Sequence, residues 1–184
     1  MDYLPRDMAY LQAGVPELKE FLLSGQVYWP VSTRGYDLPR LTLGGLLLAS
    51  RRLSAAAAPV ESLMAQMEAV RSGWQVAWER KAQREFKARF RLWREYLTDY
   101  RRDPEGYADA YRHEVRYRVM LQLLDGELPA RPEEGQALAA LDQVLRAAFE
   151  PGPFLWEGDL QEAFPSGVYW YLYGKLSNKG ATHE

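Results

Sequence analysis

The stretch PVESLMAQMEAVRSGWQVAWERKAQREFKARFRLWREYLTDYRR, residues 59–102, carries apolar side chains at Leu63, Met67, Val70, Trp74, Trp78, Ala82, Phe86, Phe90, Trp93, Leu97 and Tyr100. The stripe advances in unbroken steps of three and four, which places every one of these residues on a single face of an α-helix. Pro59 suits a first helical position, where its missing N–H costs nothing. At the far end Asp103-Pro104-Glu105 stops this helix and starts another, with aspartate as N-cap, proline next, and an acid at the positive end of the new dipole.

A helix over the whole stretch would be about 65 Å long at 1.5 Å per residue. A compact chain of this length has a radius of gyration of about 16 Å, so the helix must bend or overhang its own domain onto another subunit. Ser72-Gly73 is the weakest point, since glycine costs a helix about 1 kcal/mol relative to alanine. The spacing 86, 90, 93, 97, 100 is heptad-like for only about two heptads, which favours packing within the domain over a dimer seam.

Working outward, the segment from residue 104 to about Leu124 forms the second arm of a helical hairpin, with Tyr107, Tyr111, Val115, Val119, Met120, Leu121, Leu123 and Leu124 apolar. Gly126 and Pro129 break it. Pro132-Glu133-Glu134 opens a further helix with Leu138, Leu141, Leu145, Ala148 and Phe149 inward, and Pro151-Gly152-Pro153 closes that element. Upstream, Val15 to Ser24 reads as a short helix with Pro16 in its first turn and Gly25 as its stop. Residues 33–39 read as a turn-rich connection. Thr42 is a natural N-cap for a helix running to about Ala57, in which Gly44-Gly45 leaves room for a close neighbour.

Val27-Tyr28-Trp29 has strand character, and Val168–Tyr173 fits either a strand or a short helix. The two segments are expected to pair as a small two-stranded platform. The resulting fold class is mainly α: one domain over residues 1–184, an irregular bundle of about five helices centred on the hairpin, with a small two-stranded element at its edge.

Composition narrows function chiefly by exclusion. The 184 residues include no cysteine, so disulfides, thiol nucleophiles and cysteine-based metal sites are out, and a reducing, cytoplasmic setting is expected. The N-terminus lacks a secretory leader pattern, and the greasiest run, Leu41–Ala49, is half the length of a membrane span and carries two glycines. No membrane association is expected. His113-Glu114-Val115-Arg116-Tyr117 begins like a zinc-protease helix, but Tyr117 stands where a second histidine is needed, and His183 in the tail is the only other histidine. Gly44-Gly45 has neither the spacing nor the lysine of a P-loop, and there is no nucleophile elbow. Neither a cofactor nor a metal is expected, and the balance leans away from an enzyme.

Charge is unevenly placed. Between Glu79 and Arg102 nine basic residues face four acidic ones, so this segment is +5 while the remainder of the chain is −7. Arg80, Arg84, Lys87, Arg91 and Arg94 recur at steps of four and three and form one ridge beside the aromatic stripe. An ordinary solvated face, with arginine stems covering the core edge, accounts for such a ridge. So does a row of phosphate contacts, although a pI near 5.8 is unlike a dedicated nucleic-acid domain. The aromatic excess outside the helical stripes, Tyr28, Trp29, Trp156 and Trp170 above all, either seals the core or marks an interface.

The expectation is therefore a noncatalytic interaction or scaffolding protein that binds a protein partner or itself, using the ridge and these aromatics. A nucleic-acid-associated protein using the ridge is the second expectation. The third is an enzyme or small-ligand binder with an aromatic pocket near Trp156 and Trp170.

Overall fold

The computed structural model describes residues 3–31, 37–128 and 133–179. Among these lie seven α-helices, α1 (Tyr3–Leu23), α2 (Leu43–Ala55), α3 (Glu61–Gly73), α4 (Gln75–Arg102), α5 (Pro104–Tyr107), α6 (Tyr111–Asp125) and α7 (Glu133–Ala148). They are followed by strands β1 (Phe149–Phe154) and β2 (Tyr173–Leu176), paired antiparallel. The fold is mainly α with a small two-stranded sheet, as the periodicity implies. Pro129, Pro132 and His183, and residues 33–36 of the turn-rich connection, lie outside the described residues.

The long stripe breaks at Trp74, whose φ of −132° and ψ of 39° end α3 and precede α4. The interruption follows Gly73 directly, where the helix is intrinsically weakest. This break and the one-turn helix α5 raise the helix number from about five to seven. Pro59 lies just outside α3, which starts at Glu61. The two halves then differ: α3 buries only Met67 and leaves Trp74 at its end exposed, whereas α4 buries Phe86, Phe90, Trp93, Leu97 and Tyr100. The heptad-like seam is thus internal to the chain. Trp78 and Trp93 are almost wholly enclosed; each such ring removes about 150–250 Å² from water, a gain of roughly 4–6 kcal/mol at 25 cal/mol per Å².

Asp103 caps α5 by accepting from the Gly106 N–H at 3.0 Å, and the chain continues through a 3-10 turn (Ala108–Ala110) into α6. α4 and α6 form the expected hairpin, with Tyr111, Val115, Val119, Leu121 and Leu124 buried. Tyr107 is a correction: it sits in α5, before the hairpin arm, and stays exposed.

α1 starts far earlier than the proline implied. Pro16 lies inside the helix on its exposed side, while Leu11, Val15, Leu18 and Leu22 make a buried stripe. Tertiary packing of that stripe outweighs the missing N–H. Lys81 of α4 completes the far end of α1: its Nζ donates to the carbonyls of Ser24 (2.8 Å) and Gln26 (2.6 Å) and lies 4.4 Å from the Phe21 ring centre. A cation at a helix C-terminus meets the carbonyls left unpaired there.

The aromatic ends of the chain do not pair as expected. Trp29 bridges to Leu41, and the partner of β1 is β2. Trp170–Leu172 is a 3-10 turn, and Pro151-Gly152-Pro153, expected as a terminator, lies within β1 at a register irregularity. An edge strand tolerates those prolines because its N–H groups need not all pair. Gly174 in β2 has φ of 154°, and a Cβ there would collide with the Glu150 carbonyl oxygen. Only glycine gives the two strands that closeness.

Candidate functional site: an arginine-lined cleft

Three helices each turn one face toward a common cleft of about 560 Å³. From α1 come Tyr3, Arg6, Asp7 and Tyr10; from α2, Gly45, Leu48, Ala49 and Arg52; from α6, Arg112, His113, Arg116, Tyr117 and Met120. Each set runs i, i+3/i+4, i+7, the spacing that normally builds a core-facing stripe. On α1 and α6 the stripes are rich in arginine and tyrosine, while α2 brings Arg52 alongside small and apolar residues. Tyr28, Pro39, Arg40 and Thr42 of the segment before α2, Arg89 and Leu92 of α4, and Trp156-Glu157 complete the lining.

The N-terminus of α2 organises the floor. Thr42 caps it by accepting from the Gly45 N–H at 3.0 Å. The Gly44 N–H donates to Glu85 Oε1 at 3.0 Å, and Arg89 Nε donates to the same oxygen at 2.6 Å while Arg89 Nη2 donates to Thr42 Oγ1 at 2.8 Å. Glu85 is wholly buried and Arg89 nearly so. A carboxylate here complements the helix dipole and is itself neutralised by the guanidinium. The glycine pair is what admits these groups: a Cβ on Gly44 would stand 2.7 Å from Glu85 Oε1, and one on Gly45 would stand 2.5 Å from the Tyr10 hydroxyl. That hydroxyl donates to the Arg40 carbonyl (3.1 Å) and accepts from the Thr42 N–H (3.0 Å), and burial pushes its pKa up to about 12.

The two ends of the cleft differ in charge. At one, Arg52 lies 5.0 Å from the Trp156 ring centre and 5.8 Å from that of Tyr3, and Nη1 donates to Asp7 Oδ2 at 3.3 Å. Tyr3 in turn donates to Asp159 at 2.9 Å; burial, then this bond, raises its pKa. Burial also raises Asp7 against the opposing pull of Arg52. At the other end Arg116 lies 5.0 Å from the Tyr117 ring centre and bonds His113 Nδ1 at 3.3 Å, with Arg89 5.8 Å from the same ring. Burial, then the Arg116 charge, lowers the His113 pKa below its usual 6.5, with Glu114 opposing. The guanidinium groups of Arg40 and Arg112 have no hydrogen-bond or ion-pair partner among the described residues. Six arginines against two carboxylates give the lining an excess of four positive charges with His113 neutral.

Comparisons with protein-family models, curated proteins and solved structures found no match to this chain. The functional reading therefore rests on the residues themselves. Among the described residues no cluster of three or more histidine, aspartate or glutamate side chains is placed to hold a metal ion, and no helix is long and apolar enough to cross a membrane.

Of the residues singled out from the sequence, Tyr28 and Trp156 line the cleft. Trp29 packs instead near Phe21, with ring centres 6.5 Å apart, and Trp170 packs against Phe149, with the Arg146 guanidinium 3.6 Å from its ring centre. The ridge residues Arg80, Arg84, Lys87, Arg91 and Arg94 are all exposed. They lie across α4 from Arg89, which is nine residues from Arg80 and so about half a turn around the helix. Ridge and cleft are separate surfaces. The sequence reading passed over Arg6, Arg40, Arg52, Arg112 and Arg116. The available signal was Arg112-x3-Arg116 beside Tyr117 on a helix whose other face is apolar, which becomes meaningful only once α1 and α2 stand opposite it.

Proposed function

We propose that the protein is a binding module whose cleft holds a small organic anion. The observation that carries this is the uncompensated arginine of the cleft: among the described residues Arg40 and Arg112 have no carboxylate partner, and Arg116 is bonded only to neutral groups, His113 and Tyr117. Guanidinium forks suit carboxylate and phosphate oxygens, and a concave site lined by aromatics and a few convergent polar groups is the usual form of a ligand pocket. The cleft volume of about 560 Å³ lies within the roughly 300–1,000 Å³ such pockets occupy.

The test is a thermal-shift series at low salt with mono- and dianionic organic acids. A ligand at about 100 times its Kd stabilises a fold by about 2.7 kcal/mol, a rise of roughly 5–11 °C for a chain of this size. The variant Arg40→Gln/Arg112→Gln/Arg116→Gln should keep the unliganded Tm and lose the shift. An unchanged shift in this variant removes the cleft from consideration.

A second reading is supported by the exposure of the α4 ridge, which stays basic and solvent-facing along about 21 Å. It would let the chain associate with nucleic acid through phosphate contacts. Binding that weakens steeply with salt, and vanishes when Arg84, Lys87, Arg91 and Arg94 are neutralised together, supports it; salt-insensitive binding retained by that variant refutes it. The protein-partner role expected from the sequence would use this same ridge.

A further inference from the structure

Resting on the anion-binding reading of the cleft, we infer that its ligand is a 5′-phosphorylated nucleoside, with the phosphate at the α6 end and the base at the Tyr3–Trp156 end. The two ends ask for different chemistry in one molecule. At α6, Arg112 and Arg116 offer guanidinium donors that no carboxylate holds among the described residues, which calls for a compact anionic head. At the opposite end the charges cancel, because Arg52 is held by Asp7 between two aromatic rings. An anion gains nothing there, and a flat uncharged body does.

That end holds unspent acceptors beside one donor unpaired among the described residues, the buried Nε of Arg52. Asp7 uses Oδ2 for Arg52 and leaves Oδ1 without a hydrogen bond among the described residues, while the Tyr3 hydroxyl already spends its proton on Asp159. A body bearing N–H groups, such as an amino-substituted base, is matched to such acceptors, whereas a plain aryl or alkyl chain is not. Between the ends, Leu48, Ala49 and Met120 give an apolar floor over which a sugar can lie.

Calorimetric titrations of the full chain at low salt with inorganic phosphate, adenosine and AMP test this. AMP should bind roughly tenfold or more tighter than either fragment. Arg112→Gln/Arg116→Gln should bring AMP down to the level of adenosine, and Trp156→Leu should bring it down toward phosphate while leaving phosphate itself unchanged; circular dichroism melts check that both variants fold. A 5′-phosphorylated oligonucleotide binding more tightly than AMP assigns the nucleotide to a strand end, and the reverse order assigns it to a free mononucleotide, both in support. If phosphate binds but AMP is no tighter, the nucleotide inference is overturned and the anion cleft stands. If no phosphate-bearing probe binds, the cleft reading itself is overturned.

Discussion

Replacing Glu85 with alanine should destabilise the fold by about 3–5 kcal/mol, the usual cost of stripping one partner from a buried ion pair. The structure places this residue at the upper end of sensitivity. Its side chain is fully enclosed, its Oε1 accepts from both the Gly44 N–H and Arg89 Nε, and Arg89 is itself about 5% exposed, so removing Glu85 leaves a largely buried guanidinium without its counter-charge. For a chain of this size the loss amounts to roughly 6–20 °C in Tm. Urea unfolding followed by tryptophan fluorescence gives the difference directly, provided the m-value is unchanged. The companion variant Glu85→Leu/Arg89→Met removes both charges and leaves mainly the Gly44 N–H unpaired, a cost of about 1–3 kcal/mol. The double variant should therefore be more stable than Glu85→Ala. If Glu85→Ala costs under about 1 kcal/mol, or the double variant is the less stable of the two, the argument that the pair is a desolvated unit fails.

Three other outcomes follow from the same physics. Arg118 is buried and holds Asp142 with two bonds of 2.8 and 2.7 Å while lying 4.5 Å from the Tyr171 ring centre; Arg118→Lys loses the fork and should cost about 1.5–3 kcal/mol in denaturant titration, with Lys unable to restore both bonds. Burial raises the pKa of Tyr96, Tyr111 and Tyr171 above the usual 10; these rings stay protonated in the fold but ionise in the unfolded chain, so stability is intact below pH 10 and falls as pH rises beyond it, with their tyrosinate absorbance appearing as circular dichroism is lost. Because burial and Arg116 hold the His113 pKa below its usual 6.5, protonation of its ring on acidification below that value adds a positive charge to the cleft; affinity for an anion of constant charge, such as an organic sulfonate, should rise there, and the rise should be diminished in His113→Gln.

The helical fold was legible where local and tertiary demands coincide. The stripe from Trp78 to Tyr100 is both helical in period and buried, and Asp103-Pro104 and Thr42 cap helices as their chemistry requires. The reading failed where tertiary contacts overrode a local signal: Pro16 reads as a helix start, yet the buried Leu11–Val15–Leu18–Leu22 stripe carries α1 through it. It failed again where an aromatic run had more than one available partner, as with Trp29, which pairs with Leu41 instead of the distant Tyr169 segment.

The cleft lay beyond sequence reasoning for a geometric reason. α1 and α6 each contribute four polar residues at helical spacing and α2 contributes Arg52, a pattern that on any one helix is ordinary solvated surface. Only the packing of α1, α2 and α6 around α4 brings Arg6, Arg52, Arg112 and Arg116 to one space, and only the absence of Cβ atoms at Gly44 and Gly45 lets Glu85 and Tyr10 reach the floor beneath them. Period and capping, being local, determined the helices and the buried face of α4. The meeting of charges depends on contacts between residues as far apart as Tyr3 and Asp159, and the tertiary structure alone decided it.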